Sequence, residues 1–155
     1  MGYLNTGDKA PEFYAINQDG QNVSLKKFKG KKVILYFYPK DDTPGCTAEA
    51  CNLRDNYNEL IKRGFEVIGV SPDDKESHTR FKHKYSLPFH LVADTDKSIL
   101  KLYGAWGTKK MYGKEYEGVL RTTYVISEEG KIEKVITKVD TKDHSRQILN
   151  ELGLK

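Results

Sequence analysis

The stretch "KKVILYFYPKDDTPGCTAEAC" runs from Lys31 to Cys51 and decides how the rest of the chain is read. Its first part, "KKVILYFYP", has no polar/apolar alternation, so it reads as a strand buried on both faces. Pro39, Pro44 and Gly45 then mark a loop, and a helix is expected from about Cys46 to Arg63, ended by Gly64. A fully buried strand, a short loop and a helix form the opening of an α/β unit. The same stretch holds both cysteines of the chain, five positions apart.

Working outward, "PEFYAINQDGQNVSL" reads as a hairpin turning at Gln18-Asp19-Gly20. "FEVIGVSP" is a second buried strand, and "DDKESHTRFKHKY" a polar helix with an acidic first turn, as the helix dipole prefers. "FHLVADT" is a third strand and "DKSILKLYG" a short helix closed by Gly104. "RTTYVISEEGKIEKVI" is a hairpin turning at Glu128-Glu129-Gly130, and "DHSRQILNELGL" a closing helix. Strand–helix alternation followed by a hairpin and a helix gives an α/β sandwich: a mixed central sheet flanked by helices, with an N-terminal hairpin. A thioredoxin-like arrangement fits this order most simply.

The length of 155 residues fits one domain spanning 1–155. No run approaches ~20 apolar residues, so no membrane span is expected. The start, "MGYLNTGDKAPEF", lacks the basic and apolar regions of a secretory signal. Gly2 and Thr6 fit a short myristoylation pattern, but Tyr3-Leu4 reads better as the start of an ordered arm. The net charge of +4 is spread along the chain. Its densest basic cluster, "KKFKGKK" (Lys26–Lys32), reads as a solvated turn, since no nucleic-acid motif accompanies it. Two cysteines without a signal sequence point to a reducing, cytoplasmic compartment, where paired thiols serve redox chemistry more often than structure.

Cys46 follows a strand and a Pro/Gly loop, at the first turn of a helix. Active sites of α/β proteins gather there, and free N–H groups with the positive dipole end favour a thiolate. Asp41, Asp42 and Glu49 push the other way, so a cation from elsewhere is needed; Arg121 is the candidate. Thr43 can place a hydroxyl beside the sulfur. Pro39 and Pro44 stiffen the loop and remove two N–H donors. Against this stands the ordinary fate of an unpaired cysteine, a small buried hydrophobe.

The surroundings separate the two readings. Pro39, Thr43 and Cys46 form Pro-x-x-x-Thr-x-x-Cys, which resembles the active-site motif of the peroxiredoxins. Cys51 within "PGCTAEACNLRD", the segment "YGAWGTKKMYGKEYEGVLRTTYVI" and the N-terminal "GDKAPEF" resemble the bacterioferritin-comigratory, or peroxiredoxin Q, subfamily. The resemblance implies a thiol peroxidase acting on hydrogen peroxide and organic hydroperoxides, with Cys46 attacking and passing to a sulfenic acid. It implies that Arg121, the Thr43 hydroxyl and a backbone N–H at Cys46 donate to the reacting oxygens, and that Glu49 holds the arginine. It implies Cys51 as the resolving thiol, a Cys46–Cys51 disulfide, and a thioredoxin-like dithiol protein as reductant. No cofactor or metal is implied, and resolution within one chain fits a monomer.

A five-residue step along a helix gives about 7.5 Å of rise and roughly 140° of rotation, whereas a disulfide needs Cβ atoms ~3.8 Å apart. If one helix holds both cysteines, that turn must open before they bond. Two rivals share the fold: a thiol-disulfide oxidoreductase, disfavoured by the lack of Cys-x-x-Cys, and a redox sensor. His78 and His83 are expected at the surface, and His90 and His144 have ordinary explanations at element starts. Tyr38 is placed at the wall of the peroxide pocket.

Overall fold

The computed structural model describes residues 2–154. Its centre is β3 (Lys32–Phe37), flanked by β4 (Phe65–Ser71) in parallel and by β8 (Thr122–Ile126) antiparallel. β5 (His90–Ala93) adds in parallel beside β4, and β9 (Ile132–Ile136) antiparallel beside β8, giving the order β5-β4-β3-β8-β9. This is the mixed sheet that the strand–helix alternation and the final hairpin predict.

The unbroken apolar run of β3 is explained by two cores. Val33, Leu35 and Phe37 face one side, with Ile68, Val70, Val92 and Tyr124, under Ile99 and Leu100 of α4 (Ser98–Leu102). Ile34 and Tyr36 face the other. There they meet Ala50 and Leu53 of α1 (Pro44–Asp55), Leu60 of α2 (Tyr57–Lys62), Phe81 of α3 (Lys75–Tyr85) and Ile148 of α5 (His144–Glu151). Each fully buried side chain of this size contributes about 1.5–3 kcal/mol, so β3 is the best-anchored element.

The hairpin of β1 (Tyr14–Ile16) and β2 (Asn22–Ser24) forms as its turn residues predict. Gln18 at its tip is buried and bonds Phe89 O and Leu91 N–H, so the hairpin covers the β5 edge of the sheet. Tyr3 and Leu4 pack against the first core, and Leu4 N–H donates to the Tyr124 hydroxyl. Gly104 makes room for this arm: it has φ +69, and a Cβ there would lie 2.5 Å from the Gly2 carbonyl oxygen.

Two differences from the sequence reading have physical causes. The helix expected over 46–63 begins at Pro44 and breaks at Asn56 into α1 and α2. The Asn56 side-chain amide donates to Asn52 O at 2.9 Å, the carbonyl its own backbone N–H also reaches at 3.2 Å, and this competition ends the regular ladder. A further hairpin, β6 (Trp106–Met111) and β7 (Lys114–Val119), was not read from the sequence. Its two-residue turn takes φ +54 at Tyr112 and +75 at Gly113, and tyrosine is an uncommon residue for such a turn. The basic cluster opens with a short 3-10 turn, Leu25–Phe28, whose Leu25 and Lys26 N–H groups bond the Glu12 carboxylate. Among the described residues no helix is long and apolar enough to cross a membrane.

Candidate active site

Cys46 is the third residue of α1, after Pro44 and Gly45. The first intrahelical bond runs from Thr47 N–H to Thr43 O, so the N–H groups of Gly45 and Cys46 have no acceptor within the helix. Proline suits the first position because its missing N–H is not needed there. The thiol is 1% exposed and free, as is Cys51.

Arg121 lies between β7 and β8, 75 residues on, and meets the sulfur: Nη2 is 3.1 Å from Cys46 Sγ. Its Nη1 donates to Glu49 Oε1 at 2.8 Å. The guanidinium fork therefore bridges the sulfur and a carboxylate one helical turn beyond it. Burial works against the Arg121 charge, but Cys46 and Glu49 overcome this and hold its pKa above the ordinary arginine value. Glu49 is itself wholly buried; desolvation raises its pKa from 4.5 to about 7, with Arg121 pulling against the rise.

The two aspartates that threatened a thiolate are tied elsewhere. Asp42 takes a left-handed conformation, φ +58, and its carboxylate accepts from Lys84 Nζ at 2.7 Å and the Tyr85 hydroxyl at 2.6 Å, which lowers its pKa. Asp41 accepts from the Tyr38 hydroxyl at 2.6 Å, the Ser77 hydroxyl at 2.8 Å and His78 Nδ1 at 2.7 Å. His78 is not at the surface as expected but fully buried, and its Nε2 faces Val92 O at 3.0 Å. Through these contacts it ties the loop to α3 and β5. Asp41, Asp73 and His78 lie close enough to resemble a metal site. Their atoms are engaged within the protein instead: Asp73 Oδ2 accepts from Asp41 N–H and from the Ser71 hydroxyl, and the His78 nitrogens face Asp41 Oδ2 and Val92 O.

Tyr38 is fully buried and stacked on Tyr36, so it anchors the loop through Asp41 and does not wall an opening. Pro39 lies two residues beyond the end of β3, at the start of the loop. The Thr43 hydroxyl donates to Lys40 O at 2.8 Å and closes the loop on itself. Cys51, half-buried on the same helix, has its thiol pKa raised by burial, with Arg54 lowering and Asp55 raising it.

Sequence reasoning missed His144. It is fully buried at the start of α5, with Nε2 2.7 Å from Thr123 Oγ1 and 3.4 Å from Glu49 Oε2, and Nδ1 2.9 Å from Gln147 Oε1. Burial pushes its pKa down to about 4, against the pull of Gln147 and Asp140. α5 is docked on α1 by Asn52, whose Oδ1 accepts Ser145 N–H at 2.8 Å. One signal was available: a charged histidine is unfavourable at the positive end of a helix dipole, so His144 was better read as neutral and buried.

A buried thiol at a helix N-terminus, beside an arginine held by a carboxylate, on a mixed five-strand sheet, defines a class. Residues 6–135 match the AhpC/TSA family, and the chain belongs to it. Within that family it is similar to Peroxiredoxin Bcp of Escherichia coli K12, 45% identical over 98% of this chain and 97% of that one. Peroxiredoxin Bcp of Bacillus subtilis is 43% identical over 96% of this chain and 95% of its own. Among solved structures, the Xanthomonas campestris bacterioferritin comigratory protein superposes with a TM-score of 0.85 at 33% identity, covering 91% of this chain and 90% of its own. That structure is described in terms of alkyl peroxide reduction. A mutant of Xylella fastidiosa PrxQ superposes with a TM-score of 0.91 at 27% identity, covering 99% of this chain and 98% of that one.

Proposed function

We propose that this chain, acting as a single domain, is a thiol peroxidase that reduces hydrogen peroxide and organic hydroperoxides through Cys46. The observation that carries the reading is the 3.1 Å contact between Arg121 Nη2 and Cys46 Sγ, which favours the thiolate at a helix N-terminus. The thiolate attacks the terminal oxygen of ROOH. The S–O bond forms as the O–O bond breaks, sulfur is oxidised to the sulfenic acid, and RO⁻ leaves and takes a proton to become ROH. Negative charge moves from sulfur onto oxygen, so Arg121 and the unpaired N–H groups of the first turn stabilise the transition state.

Cys51 then resolves the sulfenic acid: its sulfur bonds to that of Cys46 and water leaves. The raised pKa of Cys51 keeps it a thiol until then, so it does not compete for peroxide. A thioredoxin-type dithiol protein returns the disulfide to two thiols. Both cysteines lie on α1 of one chain, so the cycle needs no second copy.

The test is thioredoxin-coupled peroxide consumption measured beside reduction of a protein disulfide such as insulin. The expected result is peroxide turnover that Cys46→Ser abolishes, with little disulfide reductase activity. Turnover surviving in Cys46→Ser, or insulin reduction outpacing peroxide consumption, would overturn the reading.

A further inference from the structure

Asn52, the residue after Cys51, supplies a cap that α5 lacks. Asp143 stands at the N-cap position of α5, with φ −142 and ψ 55, and its side chain makes no capping bond. A capping oxygen ordinarily accepts from the second or third N–H of a helix. Here that oxygen comes from another helix: Asn52 Oδ1 accepts from the N–H of Ser145, the second residue of α5, at 2.8 Å. Asn52 Nδ2 donates to Lys142 O and Asp143 Oδ1, both at 3.3 Å. A donor on one side and acceptors on the other fix the carboxamide.

The chain is fastened on both sides of the turn that holds the cysteines. Before it, Asp41 is bonded to Tyr38, Ser77 and His78, Asp42 to Lys84 and Tyr85, and the Thr43 hydroxyl to Lys40 O. Cys46, just beyond, is held by Arg121. After the turn, Leu53 is wholly buried and Arg54 Nη1 donates to Tyr85 O at 2.7 Å. The Asn52 carbonyl accepts from the backbone and the side-chain N–H of Asn56.

In a regular helix the Cα atoms of residues five apart lie roughly 9 Å from one another, and a disulfide takes about 4.4–6.8 Å, so the bond draws them together by ~2 Å or more. Cys46 is the more firmly held of the two, so Cys51 makes the larger move. Asn52 stands between a moving Cys51 and a fixed Leu53, and its backbone must take up the change. A shift of that size is more than the 2.8 Å bond to Ser145 N–H tolerates.

From this geometry we infer that Asn52 is a positioning residue for the resolving step: its carboxamide clasps α1 to α5, holds Cys51 away from Cys46 until the turn opens, and is released when their disulfide forms, leaving α5 uncapped. The inference rests on Cys46 and Cys51 as the pair that bonds. It adds a residue that sets how fast they do so and a helix that responds to the redox state.

Asn52→Ala removes the clasp and leaves Cys46 and Arg121 as they are. In single-turnover oxidation by peroxide, followed by acid quench and mass spectrometry, the Cys46 sulfenic acid should form at an unchanged rate. Its conversion to the disulfide, with loss of water, should speed up about five-fold, the factor that one lost cap gives when opening precedes bond formation. The peroxide concentration that turns half of Cys46 into sulfinic acid should rise in the same proportion, since the second oxidation competes with resolution. A side chain that only supports α5 would leave both unchanged.

The chain without substitution gives a second measurement, independent of how any variant folds. Amide exchange over residues 144–147 should be faster in the disulfide form than in the dithiol form, and Asn52→Ala should abolish most of that difference. The disulfide is made with diamide, which takes up the two thiol hydrogens, and is confirmed by mass, so peroxidase activity is not needed. A chain that forms this disulfide and loosens α5, yet consumes no peroxide, would count against the peroxidase reading and support the clasp. A resolution rate unchanged or slower in Asn52→Ala, equal exchange over 144–147 in both redox states, or failure of diamide to join Cys46 to Cys51 would overturn the proposal.

Discussion

Arg121 shows what a single residue can and cannot reveal from sequence. Its charge was needed because Cys46 sits among acids, yet nothing local in "VLRTT" shows that a guanidinium 75 residues away reaches the sulfur. The need for a cation made it a candidate and the family resemblance gave it a role; the sheet, by placing β8 beside β3, brings it to the loop after β3. Replacing Arg121 with Ala removes the charge beside Cys46 Sγ and, on the proposed mechanism, a donor to the reacting oxygens. Stopped-flow oxidation of Cys46 should slow by about 100-fold, as for the loss of one transition-state donor, and the Cys46 pKa should rise. An unaltered rate across pH would make Arg121 structural. The acids around Cys46 were legible as a problem, but their solution was not. Asp41 and Asp42 are bonded by His78, Lys84 and Tyr85, partners on a helix that the sequence placed correctly without showing which face it presents.

At the scale of elements, the buried strands and the hairpins with Gly turns were legible because period and turn chemistry are local. The break at Asn56 was not, because asparagine is tolerated within helices and only its side-chain bond to Asn52 O marks the end. The β6–β7 hairpin escaped because Tyr112 stands where glycine or asparagine is expected. α1 carries the functional tension. Both cysteines lie on it, and its 46–51 turn also carries Glu49 and Ala50, both wholly buried. Forming the Cys46–Cys51 bond must unwind this turn, since a regular helix holds the two Cβ atoms too far apart. Unwinding gives up a few backbone hydrogen bonds at about 1 kcal/mol each, together with the Arg121–Glu49 contact. Amide exchange over 43–54 should therefore be faster in the disulfide form than in the reduced form, while β3 stays protected. Equal protection in both states, with the disulfide confirmed by mass, would contradict the placement of both thiols on one regular helix.

For the whole molecule, Glu49 and His144, two of its buried titratable groups, give opposite pH dependences. Glu49, raised to about 7 from 4.5, makes the fold bind an extra proton, so its contribution to stability falls as pH rises through that window. His144, lowered to about 4 from 6.5, makes the unfolded chain bind the extra proton, so stability is lost as pH falls from about 6.5 to about 4. In a Glu49→Gln background only the histidine remains of this pair. Urea midpoints should then show the His144 chain losing stability relative to its His144→Leu counterpart across that window, by on the order of 2–3 kcal/mol. A flat difference would mean that His144 is not held neutral. The central claim is that Cys46 takes the oxygen and Cys51 resolves it within the same chain. Mass spectrometry of the reduced protein after a single equivalent of peroxide tests this most directly. The account predicts a Cys46–Cys51 linked peptide with the loss of both thiol hydrogens, and in Cys51→Ser one added oxygen on Cys46. Oxygen appearing first on Cys51 or on a methionine, with Cys46 still a thiol, would contradict it.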